Sequence, residues 1–419
     1  MTAAPARTAP PGDARAPAPT LAPRPASGVL LTRLGWWRSS RRRRRDLQRP
    51  LLALHRSGRH RLPGTSFDTE LYEAKDAYER PFGLVLAPQT GHASVALALR
   101  PPGDDLLGAE GAELWIADLG VWLAMLRHEP DLAGCSVGVR HDPRAGVPAA
   151  LEVTVQLTWT TRGPQGRTDP AALAAELGAR LPHLVNGLRR CGAGTAAPLR
   201  AADLVRAVAL AYDPALADDP ALADDPGAAA SPLDRRTWTD AGPRIATEAW
   251  DRLRHDSGAS LTWCLSDVRP DLVLSGVLAH LASAHGPGGP DAARTRVALL
   301  YRPTSAGPAW PAPDGAASPT DWTGQLPGAL TPQAGADPDA ATGHLTSLVT
   351  VSVTGRPGTL DDALDRAVQG VLTGVEPSLR PWLRPLYGSQ AAAFAAAIPT
   401  GTLLGVHTAA PGVVREVEP

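Results

Sequence analysis

The stretch from Gly258 to Pro303 limits what this chain can fold into more than any other. Leu261, Trp263 and Leu265 alternate with Thr262, Cys264 and Ser266, the period of a strand with one buried face. Pro270 stands where a first helical turn accepts proline. Val273, Gly276, Val277, His280 and Leu281 then recur at helical spacing, and Gly286-Pro287-Gly288-Gly289 ends the run. A second alternation follows from Arg294 to Tyr301. Strand, crossover helix and returning strand form a βαβ unit with its two strands parallel.

The same order is written earlier in the chain. Pro81 to Leu86 and His92 to Leu99 read as a hairpin, and Trp115, Leu119, Trp122 and Leu126 share one helical stripe. Cys135 to Arg140 is a short strand, and Leu151, Val153, Val155, Leu157 and Trp159 give the cleanest strand in the chain. Asp169 caps a helix started by Pro170, with a leucine stripe from Leu173 to Leu188 and a kink expected at Pro182. Gly192 to Leu199 is a last, weak strand, followed by a helix from Ala201 to Tyr212. After Gly258 the pattern repeats, with a strand over Val349 to Val353, a helix capped by Thr359, an extended edge from Leu379 to Tyr387 and an alanine-rich helix from Ser389. The expected fold is therefore α+β, two tandem ferredoxin-like βαββαβ sandwiches, each with its helices on one face of the sheet.

The boundaries follow from composition. Residues 1–61 are an Ala/Pro/Arg-rich segment, expected to be disordered, and residues 62–212 are the first sandwich. Residues 213–257 hold a linker, in which PALADD occurs twice in tandem, and a bridging helix carrying Ile245, Ala249 and Leu253. Residues 258–407 are the second sandwich with a Pro/Gly-rich insertion at 304–343, and residues 408–419 are a tail.

Residues 1–61 hold fourteen arginines against Asp13 and Asp46, a local charge of +12; since the chain as a whole is −1, the rest carries −13. Within that basic end Trp36 and Trp37 stand beside Arg41, Arg42, Arg43, Arg44 and Arg45. Three readings fit: a solvated charge run, attachment to an anionic membrane surface with the indoles at headgroup level, or contact with nucleic acid. No run of about 18 apolar residues and no signal peptide is encoded, so a cytoplasmic body is expected.

Site chemistry is sparse. The sole lysine, Lys75, follows no glycine-rich loop, which rules out a P-loop, and Gly192-Ala193-Gly194 is too short for a dinucleotide fingerprint. Cys135, Cys191 and Cys264 are too scattered for structural zinc or a disulfide framework. His183, His280 and His285 lack partners at ligand spacing. His255, Asp256 and Ser257 are neighbours that cannot converge as a triad, and they read as a helix-ending turn. No catalytic, cofactor or metal site is expected.

The blocks YEAKDAYERPFGLVLAPQTGHASVALAL from Tyr72, WTDAGPRIATEAWDRLRHDSGASLTW from Trp238, RVALLYRP from Arg296 and LRPLYGSQAAAFAAAIPTG from Leu383 resemble an uncharacterised actinobacterial family of conjugative elements. That family is found near PrgI-like membrane proteins and VirB/TraC-type traffic ATPases of type IV-like secretion systems. The last block is similar to the end of the non-ATPase amino-terminal domain of such ATPases. The resemblance implies a non-enzymatic docking component at the cytoplasmic face of a conjugative or type IV-like secretion apparatus. Its implied partners are secretion membrane proteins, a traffic ATPase and an anionic membrane surface. Members usually begin with a short membrane hairpin ahead of a basic stretch like Arg41 to Arg45. Here the hairpin is missing, which points to attachment through partners or to a start upstream of Met1. An EccE-like subunit of a type VII machine and a nucleic-acid-binding protein of a mobile element are the alternatives.

Overall fold

The computed structural model describes residues 46–48, 58–102, 109–142, 151–161, 169–218, 233, 235–265, 293–303, 343–356, 358–375, 377, 380, 383–404 and 406–407. The first half runs β1 (Asp46–Gln48), β2 (Arg59–His60), β3 (Thr69–Lys75), β4 (Pro81–Ala87), β5 (His92–Arg100), α1 (Ala109–Met125), β6 (Leu132–His141), β7 (Leu151–Thr160), α2 (Pro170–Arg190), β8 (Thr195–Pro198) and α3 (Ala201–Tyr212). The second runs α4 (Trp238–Ala241), β9 (Ile245–Glu248), β10 (Leu253–His255), β11 (Gly258–Leu265), β12 (Arg294–Pro303), β13 (Gly343–Thr354), α5 (Leu360–Gly374), β14 (Leu383–Pro385) and α6 (Gln390–Ala396).

Local chemistry explains most of these elements. The β4–β5 hairpin closes through Gly91, whose φ of 67° is the left-handed conformation a tight turn needs. Asp169 caps α2 by accepting from the Ala171 amide at 3.1 Å. The helix then continues through Pro182 to Arg190, presenting Leu173, Leu177, Leu181, Leu184 and Leu188 to the core. Thr359 makes no side-chain cap on α5; its hydroxyl donates backward to the Arg356 carbonyl at 3.4 Å.

The expectation of two tandem ferredoxin-like sandwiches is corrected by the strand pairing. All described strands belong to one antiparallel sheet of 14 strands, ordered β1-β9-β10-β11-β13-β12-β6-β7-β5-β4-β3-β2, with β14 added at β11 and β8 at β5. The join is the β6–β12 ladder, which runs from Thr295 opposite His141 to Tyr301 opposite Cys135. Both strands carry apolar residues on the buried face along the middle of the ladder, so leaving either as a free edge would expose Val137, Val139, Val297 and Leu299, all buried. A sheet-dominated fold results. The expected bridging helix is also corrected: Ile245 to His255 form a β hairpin, β9–β10, in which Ile245 is exposed while Ala246, Leu253 and His255 are buried. The expected helix after Pro270, the 304–342 part of the insertion and the tail lie outside the described residues.

Helices cover both faces. On one face α1, α2 and α5 pack on a continuous apolar surface that runs from Phe82 and Leu84 through Val139 and Val297 to Val351, with Trp122 and Trp159 fully buried. On the other, α3, α4 and α6 bury Val85, Ala96, Tyr212, Trp238 and Phe394, and α6 also covers Ala298 and Leu348. This second face differs from the one-sided burial that the apolar/polar alternation predicts. Beside those apolar residues its strands present hydroxyls, and these pair across the ladder: Ser94 with Thr158 at 2.9 Å, Ser260 with Ser352 at 2.7 Å and Thr262 with Thr350 at 3.0 Å. Satisfied in this way, polar side chains can be buried beneath a helix. Among the described residues no helix is long and apolar enough to cross a membrane.

Candidate functional site

The polar face opens into a cavity where the two halves of the chain meet. Three strands build it in register. Arg296 of β12 lies opposite Arg140 of β6, which lies opposite Glu152 of β7. The next row is Ala298, Gly138 and Thr154, and the third is Leu300, Ser136 and Gln156. The middle row is small, and that leaves the space. Ala207 of α3 and the segment Ala397–Pro399 after α6 close it from above, giving a volume of about 50 Å³.

The lining is rich in donors. Arg140 spends one nitrogen on Glu152 at 2.6 Å, while its Nε is buried without a partner among the described residues. Gln156 is 4 % exposed; its Oε1 accepts from Ser136 at 3.5 Å, and its Nε2 is likewise unmatched. The Arg296 guanidinium lies 5.6 Å from the centre of the Phe394 ring, a cation–π contact. Burial pushes its pKa down to about 10, helped by the neighbouring charge of Arg140, so it remains charged near neutrality. Two arginines face each other across a ladder, and the one carboxylate beside them, Glu152, pairs with Arg140. The neighbouring Asp142 is bound to Arg294 at 2.9 Å.

His255, Asp256 and Ser257 form no triad, and the turn they make joins β10 to β11 rather than ending a helix. His255 Nδ1 donates to the Tyr212 carbonyl at 2.6 Å, which leaves Nε2 to accept from Ser260 at 2.7 Å. Asp256 accepts from the Arg244 and Ile245 amides, and Ser257 donates to Asp213 at 2.5 Å. Three side chains point to three different places, each tying one loop to the sheet. A second buried imidazole, His407, accepts the Leu403 amide on Nδ1 at 3.0 Å and reaches His92 at 3.0 Å and Thr90 at 3.2 Å through Nε2.

The predicted contact residues Trp36, Trp37, Arg41, Arg42, Arg43, Arg44 and Arg45 lie outside the described residues, as do His280 and His285. Among the described residues no cluster of three or more His, Cys, Asp or Glu side chains has metal-holding geometry. Cys135 is buried and its thiol is pushed well above the usual range by that burial. Sequence reasoning missed the cavity because strand alternation puts Arg296, Thr154 and Gln156 on an outward, solvated face. The signal that could have found it is a pair of arginines, Arg140 and Arg296, inside otherwise apolar strands. No protein-family model matches the chain, and no curated protein matches it in sequence.

Proposed function

We propose that this chain is a non-enzymatic docking component at the cytoplasmic face of a conjugative or type IV-like secretion apparatus, held against an anionic membrane surface by Trp36, Trp37 and Arg41 to Arg45. The observation that carries this reading is the separation of charge: +12 over residues 1–61 against −13 over the rest. A basic end is drawn to anionic lipid while an acidic body is repelled by it, so the body is kept clear for protein partners. The blocks that carry the family resemblance support the reading at the level of scaffold. From Tyr72 the first builds β3 to β5, from Trp238 the second builds α4 to β11, and from Leu383 the last builds β14 and the fully buried α6. They are framework segments of the sheet and its covering helices.

Flotation with liposomes tests the attachment. The full chain is expected to float with vesicles containing anionic lipid and not with neutral ones, less so as salt rises, and to stay at the bottom when Arg41 to Arg45 are replaced by Gln. Each arginine near the surface contributes about 1 kcal/mol, so losing five weakens binding by about 5 kcal/mol, more than a thousandfold. Equal flotation with both vesicle types, or with neither, overturns the role given to these residues. Retention on DNA in place of anionic vesicles, falling steeply with salt, would transfer them to nucleic acid.

A further inference from the structure

We propose that the cavity between β12, β6 and β7 is a binding site for a small tetrahedral oxyanion of the phosphate or sulfate class, held by Arg296, Arg140 and Gln156. Three unrelated observations point to it. The Arg296 guanidinium is charged, desolvated beneath Phe394 and the Ala397–Pro399 segment, and has no carboxylate in ion-pair range among the described residues. A half-buried charge beneath an aromatic ring loses much of its hydration and favours a counter-charge beside it. The unmatched polar groups around it, Arg140 Nε and Gln156 Nε2, are both donors, and buried donors are almost always satisfied in a finished structure. The space also fits: at roughly 10–15 Å³ for each water-sized position, about 50 Å³ takes a group of about three to five heavy atoms, which admits the five of phosphate or sulfate and not a nucleotide.

The acceptor-rich neighbour is Glu152, on the rim with its side chain 59 % exposed and already bound to Arg140. It caps one side of the guanidinium pair and leaves the Arg296 side positive. A tetrahedral oxyanion offers acceptors in every direction, which suits donors arriving from three strands. The Ser136 and Thr154 hydroxyls, also in the lining, adapt as donors or acceptors.

Gly138 provides a steric test that leaves every charge in place. A Cβ built on it would lie 3.9 Å from its nearest neighbour, the Thr154 carbonyl oxygen, so the strand accepts a side chain there and the cavity loses its floor. Titration of the full chain with inorganic phosphate, and separately with sulfate, at fixed ionic strength and pH 7.5 is expected to give saturable heat and a rise in melting temperature. Arg296→Gln should weaken binding about tenfold or more, the usual consequence of losing charge-assisted hydrogen bonds. Gly138→Val should abolish binding while keeping the melting temperature of the unliganded chain. A parallel titration with glycerol phosphate separates a free anion from the head of an ester: binding equal to that of phosphate assigns the site to phosphomonoesters, and no binding assigns it to the free ion. Failure of phosphate and sulfate to saturate, or saturation undiminished in Gly138→Val, overturns the proposal. Neither result bears on the liposome experiment, whose residues lie elsewhere in the chain.

Discussion

Replacing Val297 by Asp is expected to unfold both halves of the chain together. Val297 is 1 % exposed on β12 and stands opposite Val139, 2 % exposed, on β6. Both belong to the apolar surface beneath α1, α2 and α5. A carboxylate there has no partner, and the combined loss of packing and burial of a charge costs at least about 4 kcal/mol, a large part of the roughly 5–15 kcal/mol that stabilises an ordinary domain. If the halves were separate sandwiches, β12 and its neighbours would melt while the β4–β5–β7 region kept its structure. In one sheet, losing β12 strips β6 of seven residues of pairing and opens the shared core to water. Hydrogen exchange of intact and variant chains distinguishes these outcomes. Amides of β4, β5 and β7 should lose protection along with those of β11 and β13, and full protection in the first group would show that the β6–β12 ladder is dispensable.

The elements legible in the sequence are those whose burial is one-sided and apolar. Leu151 to Trp159 alternates in sequence, and its apolar set Val153, Val155, Leu157 and Trp159 is buried as predicted, although Gln156 and Thr158 on the other face are buried too; Trp115, Leu119, Trp122 and Leu126 lie on one buried stripe as their spacing predicts. What the sequence hides is pairing between distant strands. Alternation says that a strand has a buried face, not which strand lies beside it, so nothing in Leu132 to His141 or Arg294 to Pro303 announces that the two join. The short strands β9 and β10 mimic a helix because Ile245, Ala249 and Leu253 fall at helical spacing by chance. The pairing itself places Ala246 inward and Ile245 outward, and the turn is closed by the Ala249 amide bonding to the Arg252 carbonyl. The candidate site is hidden for a related reason. Thr154, Gln156 and Arg296 are polar, and polarity on an alternating strand implies exposure; the covering helices α3 and α6 and the cross-strand hydroxyl pairs reverse that inference.

Two of the buried polar groups give the chain a stability that depends on pH. His255 is held neutral, with burial lowering its pKa to about 4 against the opposing pull of the Tyr212 carbonyl, and the charge of Arg296 adds to the lowering. His407 is lowered to about 3, first by burial and then by His92. An unfolded histidine titrates near 6.5, so between that value and about 4 the unfolded chain binds protons that the folded chain refuses, and stability falls as pH falls. Above pH 7 both states are neutral and the effect vanishes. A tenfold difference in proton affinity between the folded and unfolded chain is worth about 1.4 kcal/mol. His255 alone therefore accounts for about 3 kcal/mol, fully lost once pH has dropped below its folded pKa, and His407 for somewhat more. The carboxylates whose pKa is lowered in the fold, Glu70, Asp76 and Asp361, act in the same direction but at lower pH, below their unfolded values near 4. Asp256, raised by burial, acts in the opposite direction. Urea unfolding at pH 7.5, 6.0 and 5.0 should therefore show a midpoint that is high at pH 7.5 and drops at each step, and the drop should shrink by about half in His255→Gln, where one of the two proton-linked groups is gone. A midpoint level from pH 7.5 to 5.0 would mean that these imidazoles reach water in the folded chain. The ties from His255 to Ser260 and from His407 to His92 would then not hold the loop before β11 and the carboxyl-terminal segment against the sheet.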